Sequence, residues 1–133
     1  MTFLLNLAKK SESEQIAAIE RGFPSYSLEQ IADQLGVSKQ SIISGLKLVK
    51  RTISARERAK KPFTMEESER LMRVVRVQRL AREVFTTDEA VAEWLRTPDH
   101  SLGMKAPLNM LTTDIGTAKV ENLAKAMIHG VPA

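Results

Sequence analysis

A hydroxyl side chain followed three residues later by an acid or an amide recurs along this chain: Ser11 with Glu14, Ser27 with Gln30, Thr64 with Glu67, Thr86 with Glu89. Each pair has the chemistry of a reciprocal helix start, in which the hydroxyl accepts from one free amide and the longer side chain reaches back to another. No run alternates β-branched and polar residues as a half-buried strand would. The pattern therefore predicts an all-α chain. A first helix from Ser11 stops at Arg21-Gly22, before Pro24. A second starts at Ser27 and ends at Gly36, with Leu28, Ile31, Ala32 and Leu35 forming one apolar stripe. Ser38 caps a third, over residues 39–51. A looser, charged helix or linker covers Ile53 to Lys61, and Pro62 breaks it. The longest helix runs from Thr64 to about Val84, with Leu71, Val74, Val75, Gln78 and Phe85 on its buried side. A further helix spans Thr86 to Leu95, a short one Pro107 to Thr112, and a last one Thr117 to Ile128, after Gly116.

Within this series, Leu28 to Ile42 resembles a helix-turn-helix. Ala32 lets the second helix cross the first closely, Gly36 permits a left-handed turn, and Ile31, Leu35, Val37, Ile42 and Leu46 fill the wedge between them. Such a pair lays its second helix in the major groove of DNA. On a continuous wheel Ile42, Ile43, Leu46 and Val49 share one face, and Gln40, Ser44, Lys47 and Arg51 the other. Gln suits adenine edges, and Lys and Arg suit guanine edges or phosphates. Ser38, Lys39 and Ser41, in the first turn, are placed for phosphates. Gly45, unfavourable inside a helix, is expected to allow a close packing contact.

The charge agrees. Of 20 Lys+Arg and 16 Asp+Glu, residues 1–80 hold 15 and 9, and residues 81–133 hold 5 and 7. Lys39, Lys47, Lys50, Arg51, Arg56, Arg58, Lys60 and Lys61 share their stretch with one acid, Glu57. Such a run attracts polyanions by counterion release; its alternative is a solvated, helix-friendly linker. A basic front and a faintly acidic back point to two jobs on one chain.

Catalysis has little foothold. Ser, His and Asp are present, but no glycine-framed nucleophile or phosphate-cradling loop surrounds them. Asp88, Glu89 and Glu93 read as helix-start charges. Cysteine is absent, which excludes disulfides and thiolate metal sites and fits a reducing compartment, the cytoplasm. His100 and His129 lack ligand spacing. Only 5% of residues are aromatic, so a cofactor cavity is difficult to wall. No apolar run approaches a membrane span, and the first ten residues do not read as a signal peptide. The expectation is a non-enzyme without cofactor or metal. Trp94, with Val91 and Leu95, reads as core, with an interface anchor as the alternative. Arginines at 70, 73, 76, 79 and 82 are expected to be solvated or paired with Glu66 and Glu69, with one or two free to grip a partner.

From Pro62 onward the sequence resembles the C-terminal domain of the Xre/MbcA/ParS antitoxins. The carrying residues are Glu67-Ser68-Glu69-Arg70-Leu71 with Arg73, Ala81-Arg82-Glu83-Val84-Phe85, Ala90, Trp94-Leu95 and Pro98. Leu102-Gly103, Pro107-Leu108, Leu111, Thr112, Gly116, Val120, Leu123 and His129-Gly130-Val131 follow. Met104 departs from the pattern, standing where a second glycine is expected. The resemblance implies a cognate RES-domain toxin acting on NAD, silenced by an antitoxin whose C-terminal region obstructs the active-site entrance. It also implies repression of the antitoxin's own operon through operator DNA. Carried onto this chain, the DNA role falls on Ser38, Lys39, Gln40, Ser41, Ser44, Lys47 and Arg51. The toxin role falls on Ile128, His129, Gly130, Val131, Pro132 and Ala133. The expected organisation is a helix-turn-helix module at 1–61 and a toxin-binding, self-associating helical module at 62–133, acting as a homodimer within a larger complex. A free-standing repressor without a toxin, and an interaction module that no longer binds DNA, are the alternatives.

Overall fold

The computed structural model describes residues 3–130. They form eight α-helices, and no strand occurs among the described residues. Helices α1 (Phe3–Ala8) and α2 (Glu12–Arg21) precede α3 (Ser27–Leu35) and α4 (Lys39–Gly45). Then come α5 (Lys50–Ala59), the long α6 (Met65–Ala81) and α7 (Asp88–Arg96). Two 3₁₀ turns, His100–Leu102 and Pro107–Met110, lead to α8 (Asp114–Ile128). The all-α reading holds.

Two of the four start signals are complete boxes. Ser11 and Thr64 each accept from the amide three residues on, while Glu14 and Glu67 accept from the cap amides. The Ser11 amide, and then its hydroxyl, hold the Glu14 carboxyl below its ordinary range. The other two signals mark the wrong residue. Tyr26, not Ser27, stands before α3, and the Ser27 hydroxyl is buried. Thr87, not Thr86, caps α7. The opening apolar patch, given no element from sequence, is α1. The last helix starts at Thr113 rather than after Gly116. Gly116 lies inside its first turn, where a Cβ would meet the Met110 carbonyl oxygen at 2.1 Å. It is a site of close approach, not a break.

Helix α6 is the spine. Leu71, Met72, Val74, Val75 and Val77 are buried in a core that continues from Leu7, Ala18, Phe23 and Leu28 on one side to Val91, Leu108, Val120 and Leu123 on the other. Residues before and after position 61 thus share one apolar interior. A second tie joins them: the Phe63 amide donates to the Phe23 carbonyl at 2.9 Å, and the Phe23 amide to Ser68 Oγ at 2.8 Å.

The five arginines at every third position do something other than expected. Arg70 donates to the Leu46 and Lys47 carbonyls. Arg73 donates to the Leu111 and Thr112 carbonyls and to Asp114. Arg76 meets Glu121, Arg79 the Ala8 carbonyl, and Arg82 Asp88 and the Thr86 carbonyl. None of their bonds is to Glu66 or Glu69. A repeat of three on a helix of 3.6 residues per turn winds slowly around the axis, so each guanidinium reaches a different neighbour. Gly103 and Met104 both lie in the left-handed region, at φ 66° and 63°. Met104 therefore adopts the backbone that the expected glycine would have favoured.

Candidate nucleic-acid interface and partner-facing end

The α3–α4 pair is built as the sequence implies. Gly36 takes φ 66° at the turn, and Ile31, Ala32, Leu35, Val37, Ile42 and Leu46 are all buried between the helices. Ser38 caps α4, accepting from the Ser41 amide at 3.0 Å, with the two hydroxyls 2.9 Å apart. That hydroxyl is already engaged, which leaves the first-turn amides as what this end can offer an anion.

The predicted continuous helix over 39–51 is not formed. Helix α4 ends at Gly45, and Lys47 takes φ 53°. The Leu48 amide closes back on the Ile43 carbonyl at 2.9 Å and the Lys47 amide on the Ser44 carbonyl at 3.1 Å. This is a Schellman-type stop with lysine in the left-handed position that glycine usually takes. Burial of Leu46 and Leu48 on both sides of the turn drives it. The wheel that grouped Gln40, Ser44, Lys47 and Arg51 consequently fails beyond Ser44. Gln40 and Ser44 do share one exposed flank, Nε2 of Gln40 donating to Ser44 Oγ at 3.0 Å. Lys47 is exposed on the turn, and Arg51 is exposed in the first turn of α5. Val49, assigned to the buried face, is 65% exposed as the residue before α5.

The basic run is partly spent internally. Lys39 Nζ lies 3.1 Å from both carboxylate oxygens of Glu57, and Arg56 Nε is 2.7 Å from Glu67 Oε1. Lys47, Lys50, Arg51, Arg58, Lys60 and Lys61 are exposed and make no ion pair among the described residues. The Lys39–Glu57 pair fastens α4 to α5, the helix that carries Lys50, Arg51 and Arg58.

Sequence reasoning missed the surroundings of the end of α4. A Cβ on Gly45 would sit 3.0 Å from Leu108 Cγ and 3.2 Å from the Leu108 carbonyl oxygen, so this glycine does serve close packing. The Thr112 hydroxyl donates to the Gly45 carbonyl at 3.0 Å. Beside it, Gln40, Ser41 and Ser44 line one wall of a groove whose other wall is Leu95, Arg96, Leu108 and Asn109. No short-range signal marks these partners, which lie more than 50 residues downstream in the chain.

At the other end, Ile128 closes α8 and is half-buried. His129 follows it, exposed, its amide donating to the Lys125 carbonyl at 3.1 Å. Gly130 is exposed at φ 68° with open space around it. Val131, Pro132 and Ala133 lie outside the described residues. The outer face of α8 carries Ile115, 77% exposed, with Ala118, Lys119, Asn122 and Lys125. Trp94 is half-buried against Phe85, their ring centroids 5.9 Å apart. No helix among the described residues is long and apolar enough to cross a membrane.

Two family models match this arrangement in order. An antitoxin Xre-like helix-turn-helix domain covers residues 14–76, and an antitoxin Xre/MbcA/ParS C-terminal toxin-binding domain covers residues 80–130. An Antitoxin Xre of Yersinia enterocolitica is 32% identical over 117 residues, 87% of this chain and 79% of that protein. One of Photorhabdus laumondii is 33% identical over 118 residues, 86% and 78% of the respective chains. A Prs ADP-ribosylating antitoxin of Sphingobium sp. is 26% identical over 123 residues, 86% and 77%.

Proposed function

The chain belongs to the Xre antitoxin family, and from that premise we propose that it silences a RES-domain toxin that consumes NAD and represses its own operon by binding operator DNA. The toxin-binding match over residues 80–130 supports the first role. A relative named for ADP-ribosylation together with antitoxin activity is consistent with a partner that handles NAD. Neutralisation is steric: the end of α8 and the tail, Ile128 to Ala133, cover the toxin's substrate entrance. The antitoxin itself is not an enzyme and needs no cofactor or metal. It acts in the cytoplasm, where a cysteine-free chain is at home.

One observation carries the DNA role. Gln40 and Ser44 lie side by side, exposed, on the second helix of a Gly36-turned pair. The cations Lys47, Lys50 and Arg51, exposed and in no ion pair among the described residues, follow directly in the chain. Lys47 and Arg51 take phosphates, Ser38 and Ser41 contribute through the first-turn amides, and Lys39 reaches a phosphate by leaving Glu57. Residues 1–61 and 62–133 divide the labour rather than the fold. Half-sites one helical turn apart, about 34 Å, call for two copies, so the operator-bound form is a homodimer within the toxin–antitoxin complex.

Co-expression with the neighbouring toxin gene, scored by growth, together with titration of the upstream operon duplex, tests both roles. Changing Gln40, Ser44 and Lys47 together to alanine is expected to weaken operator binding about 100-fold, since each lost base or phosphate contact removes roughly 1 kcal/mol or more. Unaltered binding would refute this reading face. Deleting Val131 to Ala133 is expected to impair growth rescue while leaving operator affinity unchanged. Equal rescue by full-length and shortened chains would refute the tail's role. Persistent toxicity with the full chain present would refute the antitoxin reading for that toxin.

A further inference from the structure

We propose that Thr112 and Arg70 are positioning residues for the DNA-reading helix, so that the toxin-binding half sets the geometry in which the operator is read. The inference rests on the DNA role proposed above for α4.

The last carbonyls of a helix need partners from beyond it. In α4 the following turn serves Ile42, Ile43 and Ser44 and leaves those of Gly45, Leu46 and Lys47 to other donors. In α4 the turn after Gly45 is closed by a lysine at φ 53° instead of a glycine, a conformation that costs a non-glycine residue about 1 kcal/mol. Something outside the helix must hold it. Three consecutive carbonyls at this end receive donors from elsewhere in the chain. The Thr112 hydroxyl donates to Gly45 at 3.0 Å, and Arg70 donates through Nη1 to Leu46 at 3.4 Å and Lys47 at 3.3 Å. Thr112 is itself held, because the buried Arg73 donates to its carbonyl at 2.9 Å and to that of Leu111 at 3.1 Å. The absence of a side chain at Gly45 lets Leu108 approach closely enough for Thr112 to reach.

The arrangement therefore runs from α6, through the segment that precedes α8, to the carbonyl end of α4. Gln40 and Ser44 lie on that helix and Lys47 on the turn itself. Neither Thr112 nor Arg70 needs to touch DNA for their loss to misalign all three.

The test compares the full chain with Thr112→Val, Thr112→Ser and Arg70→Met in titrations against the upstream operon duplex and a scrambled duplex of equal length. Helicity and thermal midpoint are recorded for each chain. Loss of a hydrogen bond of this kind corresponds to about a tenfold change in an equilibrium constant. Thr112→Val and Arg70→Met are expected to bind the operon duplex about tenfold more weakly. Thr112→Ser should stay within about twofold of the original, as its hydroxyl remains. Affinity of Thr112→Val for the scrambled duplex should fall less than its affinity for the operon duplex, since non-specific binding follows charge and not the alignment of Gln40 and Ser44. A merely structural role would instead lower affinity for both duplexes together. That result, wild-type operator binding by both Thr112→Val and Arg70→Met, or failure of serine to restore binding would overturn the inference. If the unaltered chain does not prefer the operon duplex at all, the DNA reading falls and takes the inference with it. Preference kept by the unaltered chain and by both disrupting variants refutes the positioning role alone.

Discussion

A chain cut after Lys61 is expected to be largely unfolded and unable to bind operator DNA. Helices α1 to α5 are each 6–10 residues long, well below the roughly 12–15 at which isolated helices become even marginal in water. Their shared cover is α6. Its Leu71, Met72, Val74 and Val75 complete the interior around Leu7, Ala18, Phe23 and Leu28. The cut also orphans the buried Phe23 amide, whose acceptor is Ser68, and frees the Ala8 carbonyl from Arg79. The remaining fragment would be near the size at which a single core is barely sufficient. The expected loss is the whole of the roughly 5–15 kcal/mol by which domains are stable. Circular dichroism and a thermal scan of the fragment check this. A cooperative melt with operator affinity equal to that of the full chain would show that residues 1–61 stand alone. Extending the fragment to Ala81 should restore much of the helicity.

Gly22→Ala is expected to lower stability by about 3 kcal/mol or more, through backbone strain and a steric clash. Gly22 ends α2 at φ 88°, a conformation that side-chain-bearing residues rarely adopt. A Cβ there would lie 2.1 Å from the Phe63 carbonyl oxygen, and neither backbone can yield without disturbing the Phe23–Phe63 tie. For a chain of this length such a loss lowers the thermal midpoint by about 10 °C. Gly36→Ala is the control. Its φ is 66°, but nothing lies within 4 Å of the added atom, so only the left-handed strain of about 1 kcal/mol remains. Equal midpoints for the two variants would refute the packing argument.

Much of the fold is legible in the sequence because helix starts and stops are local chemistry. Ser11 with Glu14, Thr64 with Glu67, Ser38 and Gly36 each act within a few residues of themselves, and each acts as expected. The misreadings share a cause. At Gly45-Leu46-Lys47 the helix ends although no glycine occupies the left-handed position, because donors from Thr112 and Arg70 and the burial of Leu48 decide the matter at long range. At Gly116 a glycine that looks like punctuation is demanded by a carbonyl six residues earlier. For the candidate site, the flank formed by Gln40 and Ser44 was readable from helical spacing. The positions of Lys47 and Arg51 were not, since a wheel presumes an unbroken helix. The arginine repeat was visible, but its partners were not, because a period of three gives a direction without saying what lies there.

Those arginines have one more consequence. Four of the five guanidinium groups end wholly or partly on main-chain oxygens, from Ala8 at one extreme to Thr112 at the other. A guanidinium presents its donors in a planar fork, and a peptide oxygen is fixed in place by the backbone that carries it. Fastenings of that kind tie a side chain to the path of another segment and not to the tip of another side chain. A single long helix thereby grips the main chain of segments from both ends of the protein, and displacing it would break several such bonds at once.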